Sequence, residues 1–305
     1  MNLAHGELFD RIRYMMEQRV ERCGPKEIVQ IAWAFSRVQR ADEDFFVGVF
    51  APAIRAKVLE FEAPRDVCTL AWSFSNARVV DTALFNDLAH VLAPKVKLMN
   101  AHDVSSAAVA FASVEYAHQR LFRALQKHTK TILHSFSPLQ LARTIYGFGV
   151  AGVDDENLFR ILCQQVSKHK SKLHAKNIVE IVVGLAEAEY MPPRFLTELL
   201  RDVETFAKWF GPEDAIQLLH AISRLPSDHR FDSVRSDTVL RCLLDAVRRR
   251  VGGWWRFRPV DAADLLEALR ALELHEPLLV GSVSRQLPRM LRSSDSVGGV
   301  FLRLR

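Results

Sequence analysis

The chain has 305 residues, 49% of them apolar and 25% charged, with 13 Gly and 12 Pro. That balance excludes a disordered chain, which lacks the apolar residues for a core, and a collagen-like or linker-like one. The net charge of +5 lies wholly in the last 67 residues, with 12 Lys/Arg against 7 Asp/Glu, so either a polyanion or acidic partner near that end or plain solvated surface is expected.

Cys23, Cys68, Cys163 and Cys242 are far apart and form no CxxC pair, which fits a reducing compartment rather than a disulfide framework or a zinc module. No apolar run approaches the roughly 20 residues of a membrane-spanning helix, so no membrane insertion is expected.

Along the chain one segment recurs. Pro25-KEIVQIAWAFS returns as Pro64-RDVCTLAWSFS, Ala101-HDVSSAAVAFA, Pro138-LQLARTIYGFG and Ala175-KNIVEIVVGLA, then more loosely as Pro212-EDAIQLLHAIS and Pro259-VDAADLLEALR. The starts are 39, 37, 37, 37, 37 and 47 residues apart, and the widest spacing reflects a longer polar loop in 225–238. Counted from the Pro or Ala, positions 4, 7, 8 and 11 are mostly apolar, the stripe of an amphipathic helix. Pro suits the first helical turn. Position 3 (Glu27, Asp66, Asp103, Gln140, Asn177, Asp214, Asp261) can accept hydrogen bonds from free N–H groups there. Position 10 is always Ala, Ser or Gly, which allows a neighbouring helix to approach closely; a ligand is the other reading.

A second helix follows each first one, marked by an apolar pair: Phe45-Phe46, Leu84-Phe85, Leu121-Phe122, Leu158-Phe159, Phe195-Leu196, Val239-Leu240 and Leu278-Leu279. Leu8-Phe9 marks a lone second helix over residues 3–23. One helix pair cannot bury its own apolar face, and stacked pairs share a core. The expected fold is all-α: one α-solenoid domain over 1–305, with about seven 37-residue helix–turn–helix repeats behind a leading half repeat. The half repeat suggests that the natural chain begins further upstream, or that a presequence has been removed.

The 37-residue period, the Pro at the helix start, the W-[AS]-F-S runs at 33–36 and 72–75 and the Leu-Phe openings resemble the octotricopeptide and heptatricopeptide repeat families of organellar RNA-binding proteins. The resemblance covers Leu8 to about Arg292. It implies sequence-directed RNA binding in mitochondria, or alternatively plastids, foremost as a mitoribosomal subunit clamping rRNA, with a transcript stability or processing factor as the alternative. The RAP domain that ends many members has no counterpart after residue 280.

Positions 2, 6, 9 and 13 of the first helices lie opposite the apolar stripe. Position 6 (Gln30, Thr69, Ser106, Arg143, Glu180, Gln217, Asp264) is always polar and varies between repeats, as base readout demands and as solvated surface also permits. Position 9 holds Trp33 and Trp72, which we read as plugs of the seam between repeats, with base stacking as the alternative.

The second helices carry basic residues toward their ends: Arg55 and Lys57, Lys95 and Lys97, Lys127 and Lys130, then Lys168, Lys170 and Lys172. Stacking aligns these into a stripe suited to phosphates, although helix C-termini attract such residues without any ligand. Arg248, Arg249 and Arg250 precede Gly252-Gly253, a helix break, and with Arg256 and Arg258 they bracket Trp254 and Trp255. Guanidinium and indole groups together suit RNA, and this cluster is the leading contact candidate.

No phosphate loop, dinucleotide fingerprint, metalloprotease helix or nucleophile elbow occurs, and no cofactor, metal or small-molecule substrate is expected. Taken with the resemblance, the function expected is non-catalytic RNA binding beside neighbouring proteins of a ribonucleoprotein. A protein-binding scaffold is the alternative, favoured by the neutral charge of residues 1–238.

Overall fold

The computed structural model describes residues 4–38, 40–201, 203–226, 232, 234, 236–249 and 259–292, and the regular structure among them is entirely helical. The chain opens with α1 (Ala4–Arg19) and α2 (Pro25–Arg37), followed by a second element broken into α3 (Glu43–Phe45), a π turn (Phe46–Phe50) and α4 (Ala51–Ala56). Helix pairs follow: α5 (Pro64–Ala77) and α6 (Thr82–Leu92), α7 (Ala101–Ser113) and α8 (Gln119–Ile132), α9 (Pro138–Val150) and α10 (Glu156–Lys168). After them come α11 (Ala175–Glu187) with α12 (Pro193–Leu200) and α13 (Val203–Phe206), α14 (Pro212–Ser223) with α15 (Asp237–Arg248), and α16 (Pro259–Ala271) with α17 (Pro277–Arg292). Every first helix starts at the residue its repeat motif marks. The architecture is an all-α helical repeat, and the chain divides into two compact units, residues 1–165 and 166–305.

Each repeat is built by the same local devices. The position-3 side chain reaches back to the N–H before the helix: Gly24 N donates to Glu27 Oε2 (2.7 Å), Ser137 N to Gln140 Oε1 (2.9 Å), His174 N to Asn177 Oδ1 (3.1 Å) and Gly211 N to Asp214 Oδ2 (3.1 Å). These bonds satisfy donors that a helix start leaves free. The second helices are capped from in front, by Asp42 on Phe45 N, Asp81 on Leu84 N and Asp155 on Leu158 N, each at 2.9 Å.

Five first helices, α5, α7, α9, α11 and α16, end on a left-handed residue at one fixed place, with φ between 53° and 66° at Arg78, Glu115, Gly152, Glu189 and Glu273. The next N–H then bonds back five residues, as Val79 N to Phe74 O, Tyr116 N to Phe111 O and Val153 N to Phe148 O, all at 3.0 Å. This is the Schellman ending, which satisfies orphan carbonyls and turns the chain into the second helix.

Within the first unit α2 packs on α5, α5 on α7 and α7 on α9; within the second, α11 packs on α14 and α14 on α16. The apolar pairs meet position 11 of the following first helix. Ring centroids lie 4.9 Å apart for Phe9–Phe35 and Phe46–Phe74, 5.2 Å for Phe85–Phe111 and 6.2 Å for Phe122–Phe148. These edge-on contacts form an aromatic column that is buried except at the half-buried Phe9. The small residue at position 10 has the packing role expected of it at Gly147, where an added Cβ would lie 2.5 Å from the Ala108 carbonyl carbon.

Candidate nucleic-acid interface

A groove of about 210 Å³ opens in the first unit on the face of the first helices opposite their buried stripe. Position 6 supplies Thr69, Ser106 and Arg143 from α5, α7 and α9, and position 9 supplies Trp33 and Trp72 from α2 and α5. Arg65 and His102 enter from position 2 and Arg37 from position 13. The 3.6-residue period therefore brings positions 2, 6, 9 and 13 of consecutive repeats to one place.

Trp33 is 47% exposed and Trp72 half-buried, so both line the groove, and the expectation that they plug a seam is corrected. The Arg37 guanidinium carbon stands 5.8 Å from the centroid of the Trp33 ring, at the outer reach of a cation–π contact. Arg37, Arg65 and Arg143 make no ion pair among the described residues. The Thr69 hydroxyl donates to Arg65 O at 2.8 Å and keeps its lone pairs for a ligand. Beneath them Asp103 is buried, its Oδ2 accepting from Asn100 N at 3.3 Å and its Oδ1 accepting from no group among the described residues. Cys68 also lies here, and burial, reinforced by the Asp103 charge, pushes its thiol well above the ordinary range, so it stays protonated.

Four cations of the stripe expected on the second helices bond groups of neighbouring repeats. Lys57 Nζ donates to Glu21 O and Cys23 O, both at 2.7 Å, and Lys95 Nζ donates to Phe61 O at 2.8 Å, in each case tying a repeat to the one before. Arg55 pairs with Asp87 at 2.9 Å and Lys130 with Asp155 at 2.7 Å. Lys97, Lys127 and Lys172 are exposed, as is Lys168, while Lys170 is half-buried. Gln30 is exposed on α2, the helix that supplies Trp33 and Arg37, but it does not line the groove.

In the basic C-terminal cluster Arg248 is held by Asp245 at 2.8 Å and by Glu276, and Arg249 is exposed at the end of α15. Arg250, Gly252, Gly253, Trp254, Trp255, Arg256 and Arg258 lie outside the described residues.

The corresponding face of the second unit has the opposite chemistry. It presents Glu180, Glu187, Glu213 and Glu267 beside Lys176, with Arg224 paired to Glu187 at 2.6 Å and His220 standing 3.5 Å from Glu267. Net charge by chain segment hides this contrast, because the first unit balances its charges through acids elsewhere. Arg37, Arg65 and His102 are absent from the sequence expectations for the same reason. Each is unremarkable alone, and the wheel positions they occupy are the available signal.

A family model for the RNA-editing substrate-binding complex 6 protein (RESC6) matches residues 5–251, whereas no curated protein matches the chain. This overturns the resemblance to octotricopeptide and heptatricopeptide families. Pro starts, small position-10 residues and Leu-Phe pairs serve the packing of a 37-residue helix pair, and any family with that period meets the same demands. The match supports neither a ribosomal role nor a plastid. Spanning most of the sequence, it places the chain in the RNA-editing substrate-binding complex 6 protein family.

Proposed function

We propose that the chain is a non-catalytic RNA-binding subunit of a mitochondrial RNA-editing substrate-binding assembly and that RNA lies in the groove of the first unit. One observation carries this reading: three guanidinium groups without acidic partners among the described residues converge with two accessible indoles on a single face. Arginine binds phosphate and stacks on bases, and free guanidinium groups exchange their counterions for a polyanion at little cost. The family to which the chain belongs supplies the editing context. The acidic face of the second unit suits protein neighbours in the assembly better than RNA, because carboxylates repel phosphates.

RNA titrations at several salt concentrations test this. Arg65→Gln with Arg143→Gln should weaken binding to all sequences alike and reduce the slope of log affinity against log salt by about 1.4–1.8, at about 0.7–0.9 for each phosphate no longer neutralised. Unchanged affinity and slope in a folded variant would refute the groove as the RNA site.

A further inference from the structure

We infer that the groove takes an unpaired RNA strand running across the first helices, with bases turned inward against Trp33 and Trp72 and phosphates on the arginine-lined rim. The inference rests on the RNA-binding reading above and adds the state of the RNA and its orientation.

Trp33 and Trp72 hold position 9 of consecutive repeats, so α2 and α5, packed side by side, offer one indole each along the direction of stacking. A strand crossing the helices meets the two rings in turn, whereas a strand running along one helix meets only one. An indole stacks on a base only when the base is free of its own duplex. A paired helix would bring just its phosphates and 2′-hydroxyls to this surface.

The groove floor decides which way the strand faces. Asp103 is buried there, and a phosphate seated on that floor would stand against the carboxylate. Bases carry no charge and tolerate it. The cations, by contrast, sit on long side chains at positions 2, 6 and 13 and reach the rim. The Thr69 and Ser106 side chains also line the groove; the Thr69 hydroxyl, already donating to Arg65 O, can accept from a base edge, and the Ser106 hydroxyl can accept or donate. The π-faces accept any base, so the two tryptophans supply affinity and the hydroxyls of Thr69 and Ser106 supply preference.

The experiment compares the full chain on three probes: a short unstructured RNA strand, the same strand annealed to its complement, and an abasic strand with the same number of phosphates. The unpaired strand should bind tightest. Trp33→Ala and Trp72→Ala should each weaken it about five- to a hundredfold while leaving the abasic strand unaffected. Trp33→Phe and Trp72→Phe should restore most of the loss, which a merely structural defect in the alanine variants would not allow. Arg65→Gln should weaken the native and abasic strands by the same factor. If the duplex and abasic probes bind as well as the unpaired strand, or the alanine variants lose affinity for the abasic strand too, the stacking inference fails. RNA binding in the groove still stands in that case if the arginine variants lose affinity. If they do not, both fail together.

Discussion

Glu115 shows how a single residue works against its own backbone. It is exposed at φ 55°, in the turn where the equivalent residue of the next repeat is Gly152 at φ 66°. A left-handed non-glycine residue costs about 1–2 kcal/mol, and the added freedom of an unfolded glycine offsets part of that. Glu115→Gly should therefore stabilise the chain by about 0.5–1 kcal/mol. The expected sign is a higher urea midpoint at unchanged m. His118 ties stability to pH. Its Nδ1 accepts from Leu121 N at the start of α8 (3.3 Å), and burial, then the neighbouring His90 and Arg120, lower its pKa from 6.5. The folded chain thus favours neutral His118. Stability is fully present above pH 6.5 and falls as pH drops below it, because the unfolded chain then binds the proton more readily. His118→Asn keeps a capping acceptor without a charge, so melting curves between about pH 7 and pH 5 should show a shallower decline than in the parent. An unchanged decline would place the acid sensitivity elsewhere.

Between elements, the spacing of first helices is set by what position 10 leaves out. Gly147→Ala would drive a Cβ into backbone atoms of Ala108, so α7 and α9 must separate, at a cost of about 1–3 kcal/mol. Gly48, in the π turn, has nothing within 4 Å of its added Cβ, and Gly48→Ala should be neutral or stabilising. Chemical denaturation of the two variants should give opposite signs. The lysine ties between repeats make a second contrast. Lys57→Met leaves the Glu21 and Cys23 carbonyls without their donor and should cost about 1–2 kcal/mol, yet RNA affinity should not change. A fall in RNA affinity with unaltered stability would return Lys57 to the phosphate-binding residues.

For the molecule as a whole, chemistry is divided between the units. The groove face of the first unit gathers Arg37, Arg65 and Arg143, while the same wheel positions in the second unit carry Glu180, Glu187, Glu213 and Glu267. Removing charge from the second face, as in Glu187→Gln with Glu267→Gln, should leave RNA affinity unchanged, and a pull-down of assembly partners should register the loss. RNA binding that rises steeply in this variant would mean that the acidic face repels RNA bound close to it.

Repeat number, helix starts, the buried stripe and the small position 10 were all legible in the chain. They arise from local rules, a 3.6-residue period and a helix pair too small to bury its own face, which every repeat must obey in its own 37 residues. The polar wheel positions were legible too, and Gln30, Thr69 and Arg143 were drawn from them. Which of those positions meet was not legible, because a cluster such as Trp33, Arg65 and Arg143 spans four repeats and forms only when they stack. The same limit misread the lysines. Lys57 and Lys95 resemble a phosphate stripe when taken along the chain, and only the packed neighbour shows that their ammonium groups hold the carbonyls of the preceding repeat. Composition reports charge along the chain, but binding depends on charge across a surface, and that surface exists only in the tertiary structure.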